Sequence, residues 1–251
     1  MEINELSSKF NSLINNEIIE LDRRLQIFDS ECKLYKGIQI LMTPLVYKPK
    51  ILFVGINPGD GYYKNEGEGK PVSITDNINP HNNNLFSDYR KAHPWPIARL
   101  MTSLFSDKKD FYQLRDDMVW TNCFPIATHT ERDLNNLFKE ADTWMAKKER
   151  DGEFVGRYRC YPCCHRFIHE LALLIEPKII ICLGKRAFEE FLKEDYTETK
   201  DIEVINNSFK RKLAVLKGGI PVIGFNRFYS SLAKGVDVVW LRDMIINTIN
   251  K

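Results

Sequence analysis

At residues 51–59 the chain reads Ile51-Leu52-Phe53-Val54-Gly55-Ile56-Asn57-Pro58-Gly59, a short apolar run that ends abruptly at a glycine. A continuous apolar run of this length is typical of a strand that is buried on both faces. The two glycines permit close backbone approach and Pro58 stiffens the turn, so this pattern predicts that the Asn57 amide is held rigidly at the end of a strand. A purely structural turn from strand to loop would give the same pattern.

Three more apolar runs follow, at 118–120, 179–183 and 221–225, and each ends in polar residues or glycine. Helical spacing precedes the third strand and stops at Pro177, and residues 185–192 and 239–249 supply further helices. This alternation predicts an α/β fold, a three-layer α/β/α arrangement around a central, mostly parallel four-stranded sheet. In such folds the ligand site lies outside the carboxyl ends of the strands.

The first forty residues have apolar side chains at three- and four-residue steps, from Leu6 to Leu25, which indicates helix. The helix breakers Pro44 and Pro49 follow. We therefore expect a helical extension over residues 1–45 and one α/β domain over residues 46–251. Residues 60–96 form a long polar stretch with several aromatic side chains, and we expect a functional loop there.

Composition excludes several classes of protein. The 251 residues are 43% hydrophobic and 28% charged with a net charge of +2, which excludes a disordered chain or a coiled coil as the main state. The apolar runs are far shorter than the roughly 20 residues needed to cross a bilayer, and the start lacks the pattern of a secretory signal. Six cysteines are too few for a disulfide scaffold. We expect a cytoplasmic protein that makes no membrane contact.

Gly55-Ile56-Asn57-Pro58-Gly59 resembles the first catalytic motif of the uracil-DNA glycosylase superfamily and is closest to its mismatch-specific uracil/thymine branch. Trp120-Thr121-Asn122 resembles the strand end at which family members present an asparagine. Residues 176–187 resemble a segment of the thermophilic branch, and residues 222–231 lie where the family has its second catalytic motif. The resemblance covers about residues 50–245. The sequence departs from the second motif at Arg227 and Phe228, which replace a proline and a serine.

The resemblance implies an enzyme that extrudes a nucleotide from duplex DNA into a pocket and reads the Watson–Crick edge of its base. Asn57 would orient the attacking water, and Asn226 would donate a hydrogen bond to O2 of the departing base. An amide cannot act as a general base, so we expect slower turnover than in branches with an aspartate there. Asp60 is the nearby carboxylate that could substitute for the base, and a loop residue that caps a turn is the favoured alternative. Base-binding residues would be Ile56, Asn122, Tyr63 and Phe86.

Basic and aromatic residues near the carboxyl terminus suggest contacts with DNA. Arg227-Phe228-Tyr229 would form a wedge that fills the gap left by the extruded base, with Ser230, Lys234 and Lys185 as further DNA contacts. Lys210, Arg211, Lys212, Arg227 and Lys234 would contact phosphates. A solvated basic surface is the alternative explanation.

The cysteine cluster Cys160-Tyr161-Pro162-Cys163-Cys164-His165 is a second signal. Two thiolates three residues apart can chelate one metal, so Cys160, Cys163 and Cys164 are candidate ligands for zinc or an iron–sulfur cluster. Thermophilic family members carry a four-cysteine cluster, but their amino-terminal cysteine pair is missing here. Reduced structural thiols are the alternative, and we expect no cofactor.

Together these patterns predict a monofunctional DNA glycosylase that leaves an abasic site, acting as a monomer with DNA as its partner. Uracil is the default base. A modified pyrimidine, such as those in some phage DNA, is a variant that would suggest a role in defence. The alternatives are a non-catalytic nucleic-acid-binding member of the superfamily and a metal-stabilised interaction module.

Overall fold

The computed structural model describes residues 1–31, 33–58, 117–156, 158–193, 202–207, 211–216, 218–228, 231–232 and 238–250. The strands are β1 (Ile51–Gly55), β2 (Met118–Asn122), β3 (Ile179–Cys182), β4 (Ile202–Asn207), β5 (Lys212–Leu216), β6 (Ile220–Gly224), β7 (Arg227–Phe228) and β8 (Ser231–Leu232). The helices are α1 (Ile3–Ile14), α2 (Glu20–Phe28), α3 (Glu131–Arg150), α4 (Cys160–Ile175), α5 (Lys185–Phe191) and α6 (Val238–Ile249), and a π-helical segment (Asn15–Ile19) joins α1 to α2.

Six strands form one sheet in the order β2-β1-β3-β6-β5-β4. The neighbours among β2, β1, β3 and β6 pair in parallel, and β5 and β4 continue the sheet in antiparallel pairing. The four parallel strands are the four apolar runs of the sequence, and β1, β2 and β3 are buried along their whole length. This confirms the predicted α/β fold with a mostly parallel sheet. The sheet contains two strands more than the four predicted.

The additional strands are antiparallel, and one of them forms a hairpin with β6. The loop between β5 and β6 contains Gly218 and Gly219, whose φ angles of 85° and 83° lie in the left-handed region. Glycine adopts this conformation without steric cost, which is why it is common in hairpin turns. Buried residues in β5 alternate with half-buried ones, although the residues from Leu213 to Leu216 are all apolar.

Helices cover both faces of the sheet. Leu52 and Val54 of β1 belong to a large apolar cluster with residues of α1, α3, α4 and α5. Ile51 and Phe53, which point to the opposite face, pack with Leu241 and other residues of α6. Alternate positions of one strand therefore support two separate cores, as the three-layer arrangement requires.

The amino-terminal helices pack directly on the α/β core. α1 lies against α4, and the Arg166 guanidinium of α4 pairs with Glu17 of the π-helical segment at 2.8 Å. α4 ends at a left-handed Glu176 with φ of 50°, immediately before Pro177. The division near residue 45 stays a prediction.

α3 is a 20-residue helix that is missing from the elements predicted from sequence. It begins with a capping box in which the Thr130 hydroxyl accepts a hydrogen bond from the Asp133 backbone and the Asp133 carboxylate accepts one from the Thr130 backbone. Across the described ranges, no helix combines the length and apolar character that a membrane span requires.

Candidate active site at the carboxyl edge of the sheet

Three asparagines lie at the carboxyl edge of the parallel strands. Asn122 is the last residue of β2, Asn57 follows the end of β1 by two residues, and Asn226 follows the end of β6 by two residues. The parallel register pairs Gly55 with Asn122, and the ends of β3 and β6 are level with it. β1 and β3 lie between β2 and β6, so three spacings of about 4.8 Å separate these two strands by about 14 Å. This is the edge at which open α/β sheets bind their ligands.

The Asn57 side chain is held by hydrogen bonds from its amide nitrogen. Asn57 Nδ2 donates to Thr128 Oγ1 at 3.0 Å and to the Pro58 carbonyl at 3.0 Å. The Thr128 hydroxyl in turn donates to the Thr130 carbonyl at 2.8 Å. Because the nitrogen is fixed in this way, Oδ1 is the end of the Asn57 amide that is available to accept a hydrogen bond from a ligand or water.

Thr128 is a site residue that sequence reasoning missed. It lies 71 residues from Asn57 in the chain, in the segment between β2 and α3, and no local pattern connects the two. The available signal was the capping sequence from Thr130 to Asp133, which fixes where α3 begins. That signal locates the segment but does not show that its threonine contacts Asn57.

Gly55 provides the space that the Asn122 side chain occupies. A Cβ added to Gly55 would overlap Asn122 Oδ1 and would lie 3.7 Å from Trp120 Nε1. The carboxamide of Asn122 therefore lies over the end of β1, where only a glycine leaves room for it. Asn122 is 2% exposed, and its Nδ2 is buried without a hydrogen-bond partner among the described residues.

Asn226 completes the set of buried amides. It is 8% exposed, and its Oδ1 is buried and accepts no hydrogen bond from the described part of the chain. Leaving a buried polar atom unpaired costs about 1–3 kcal/mol, so such atoms are rare in folded proteins. Among the described residues, Asn122 therefore keeps an unpaired donor and Asn226 an unpaired acceptor at the same sheet edge.

Ile56, Lys185 and the residues of β7 also lie at this edge. Ile56 is half-buried against the core, and its carbonyl accepts a hydrogen bond from the Phe124 backbone at 2.9 Å. Lys185 is exposed in the first turn of α5, 3.5 Å from Glu189. Arg227 and Phe228 form β7, which pairs with β8. Several residues predicted to belong to the site lie outside the described residues: Asp60, Tyr63, Phe86, Tyr229, Ser230, Lys234 and Lys210.

The remaining basic residues of the predicted phosphate-binding set have different environments. The Arg211 guanidinium lies over the Trp240 ring, 5.5 Å from its centroid. Lys212 is only 3% exposed, so the prediction that it contacts phosphates from the protein surface is not supported by its burial. Burial is expensive for an ammonium group, which makes this position unusual.

Ion pairs hold α5 beside the site. Arg186 pairs with Glu131 of α3 and donates to Asn135 at 2.6 Å. Burial raises the pKa of Glu190, but hydrogen bonds and positive charge from His165 and Lys193 outweigh this effect and leave its pKa below the ordinary value. These contacts fix α5, and with it Lys185, relative to α3 and α4.

The cysteine cluster lies in the first turn and a half of α4, where Cys160, Cys163 and Cys164 are all buried. Burial raises the pKa of each of these thiols. Arg166 Nη2 lies 3.6 Å from Cys163 Sγ and donates to it. Within the described ranges, no group of three or more Cys, His, Asp or Glu side chains could hold a metal ion. The cofactor content of the protein stays a prediction.

Comparison with known proteins identifies one family. The family model of the Uracil DNA glycosylase superfamily matches residues 45–222, which include the first three parallel strands and two of the three edge asparagines. No curated protein matches the chain.

Proposed function

The chain belongs to the Uracil DNA glycosylase superfamily, and from this premise we propose that it excises a pyrimidine from DNA by hydrolysing the N-glycosidic bond. The observation that carries the proposal is the set of three asparagines at one sheet edge, two of which are buried and retain unpaired polar atoms. A base inside a duplex is inaccessible to these residues, so the nucleotide must be extruded to reach them.

The carbonyl oxygens of a pyrimidine suit amide donors at this sheet edge. The unpaired Nδ2 of Asn122 can donate to one carbonyl oxygen of the base. Nδ2 of Asn226 would donate to O2 on the other side of the ring, with Oδ1 directed away from the base. A pyrimidine ring with one hydrogen bond of about 2.9 Å at each side spans much of the gap of about 14 Å between β2 and β6. Asn122 would therefore recognise the base, and Asn226 would contact it as it departs.

Asn57 would position the attacking water. Its Nδ2 is held by Thr128, so Oδ1 can accept a hydrogen bond from a water molecule beside C1′ of the sugar. The water oxygen bonds to C1′ as the glycosidic bond breaks, the electron pair of that bond leaves with the base, and the water releases one proton to solvent. An amide orients the water but does not remove its proton, so turnover depends on positioning and on stabilising the departing anion.

A glycosylase assay tests the proposal directly. Purified protein is incubated with oligonucleotides that carry uracil, a thymine mismatch or a modified cytosine, and abasic sites are then cleaved with alkali. We propose uracil as the default substrate and a modified pyrimidine as the variant, with the protein acting as a monomer on DNA in the cytoplasm. Absence of strand cleavage on every substrate, with DNA binding intact, would refute the proposal.

The second candidate is a non-catalytic DNA-binding member of the superfamily. It is favoured by the sequence at β7, where Arg227 and Phe228 stand in place of the proline and serine of the second motif. Replacing Asn57 by alanine separates the two candidates. A catalyst should retain DNA binding and lose base excision, whereas a protein that only binds DNA would show no excision with either asparagine or alanine at this position.

A further inference from the structure

Lys212 is a buried lysine at the same sheet edge, and the proposed reaction leaves it unused. It is the first residue of β5, and the antiparallel register pairs it with Gly224, the last residue of β6. The carboxyl end of β6 is therefore the end at which Lys212 lies, close to Asn226. The side chain is 3% exposed, which is rare for lysine.

Lys212 and Asn226 lie on the same side of the sheet. Val222 belongs to the cluster on the α4 and α5 face, whereas Ile223 and Phe225 belong to the cluster on the α6 face. This alternation places Gly224 and Asn226 on the α5 face. Lys212 is on that face too, because it faces Gly224 across the antiparallel pair. Diagonal neighbours of this kind are about 7–8 Å apart.

The Lys212 ammonium is buried beside an aromatic ring. Its Nζ lies 5.9 Å from the centroid of the fully buried Phe188 ring. That ring fills the space above Gly224, where a Cβ would be 2.5 Å from a Phe188 ring carbon. Burial and the nearby Lys185 lower the pKa of Lys212, and Glu189 opposes that shift. A charge in such surroundings acts over a longer distance than one in water.

We propose that the Lys212 ammonium stabilises the negative charge that develops on the departing pyrimidine, acting through the amide of Asn226. The proposal rests on the proposed glycosylase function. When the glycosidic bond breaks, its electron pair stays on the base, and the base takes a proton from solvent afterwards. The buried end of the Asn226 amide is Oδ1. A cation near that carbonyl oxygen polarises the amide, and the polarised amide donates a stronger hydrogen bond from Nδ2. Lys212 is in this sense a positioning residue that polarises Asn226.

A leaving-group series tests this role. Excision of uracil and of 5-fluorouracil is compared in the wild-type protein, K212M, K212R and the control K50M. The fluorine makes the departing anion more stable, so the rate of its departure depends less on stabilisation by the protein. We expect K212M to lose about tenfold to a hundredfold of the single-turnover rate on uracil and clearly less on 5-fluorouracil. K212R should retain most of the rate. Lys50 is a half-buried residue just before β1, at the opposite end of that strand from the site, and it pairs with Asp117 at 3.1 Å, so K50M should behave as wild type.

The pH profile of the excision rate is an independent readout. It compares the wild-type protein with K212R, so it can be measured even if K212M does not fold. In the wild-type protein, loss of the Lys212 proton should reduce the excision rate as the pH rises. Because the pKa of Lys212 is lowered, this decrease should begin at a lower pH than the titration of an ordinary lysine. In K212R this decrease should be absent, because a guanidinium keeps its charge throughout that range. Thermal unfolding of each variant shows which of them are folded.

Equal rate losses on both bases, or the same alkaline decrease in K212R as in wild type, would overturn the inference. An active wild-type protein whose K212M variant is equally active would overturn the inference and leave the proposed function standing. A wild-type protein that excises neither base would refute both the inference and the proposed function.

Discussion

The chemistry of the site depends on residues that hold asparagine amides in one orientation. An asparagine side chain rotates freely unless its neighbours restrict it, and each end of its amide has a different hydrogen-bonding role. Thr128 restricts Asn57 by accepting a hydrogen bond from Nδ2 at 3.0 Å. Gly55 has no Cβ and so leaves the space that the carboxamide of Asn122 occupies. Neither residue needs to touch the substrate to affect the reaction.

Replacing Thr128 by valine removes the hydroxyl and nearly preserves the size of the side chain. Asn57 Nδ2 then loses its side-chain acceptor and keeps the Pro58 carbonyl at 3.0 Å. One neutral hydrogen bond contributes about 1 kcal/mol, so we expect a decrease in single-turnover rate of about fivefold. Thr128→Ser retains the hydroxyl and serves as the control. Equal rates for the valine and serine variants would show that the hydroxyl does not position Asn57.

Replacing Gly55 by alanine should displace the Asn122 side chain, because the new Cβ would overlap Oδ1. We expect base excision to fall to the level of Asn122→Ala, while DNA binding outside the pocket is retained. The double variant gives the decisive comparison. If Gly55 acts through Asn122, Gly55→Ala combined with Asn122→Ala should be no slower than Asn122→Ala alone. Additive losses would contradict this explanation.

At the level of elements, the sequence predicts those strands whose two faces are both buried. β1, β2 and β3 are such strands, and each appears as a short apolar run followed by glycine or polar residues. β5 is not among the predicted strands, although four apolar residues follow Lys212; in the structure its buried positions alternate with half-buried ones. The glycine pair at 218–219 is the hairpin signal that would have located it.

The candidate site was predictable to the extent that it depends on strand ends. Parallel strands place their carboxyl ends at one edge, so Asn57, Asn122 and Asn226 could be assigned to one side of the sheet from sequence. Contacts between segments that are distant in the chain could not be predicted. The pairing of Asn57 with Thr128 and the burial of Lys212 depend on tertiary packing and leave no local pattern.

At the level of the whole molecule, the layer formed by α3, α4 and α5 contains a charged group within the apolar core. Glu190 of α5 is 9% exposed at its side chain and lies 3.4 Å from Nε2 of the fully buried His165 of α4. Lys193 Nζ lies 2.7 Å from the same carboxylate, and Arg186 is 3.8 Å from it. This carboxylate therefore links α5, the helix that contains Phe188, to α4 through His165.

Glu190→Gln should therefore reduce stability at neutral pH and have a smaller effect in acid. The pKa of Glu190 is lower in the folded protein than the ordinary carboxyl value of about 4.3, so the unfolded chain binds more protons as the pH falls through that region. The stabilisation that Glu190 provides is present above the unfolded pKa and is lost as the pH falls through the folded pKa. We expect the variant to lose about 1–3 kcal/mol of unfolding free energy at pH 7 in denaturant unfolding. The difference from wild type should shrink steadily below the ordinary carboxyl pKa.

Glu189→Gln is the matched control, because the Glu189 carboxylate lies at the surface, 3.5 Å from Lys185. This variant should change the unfolding free energy by only about 0.3 kcal/mol. A Glu190→Gln difference of the same size at neutral and acid pH would mean that the side chain contributes through packing rather than through its charge.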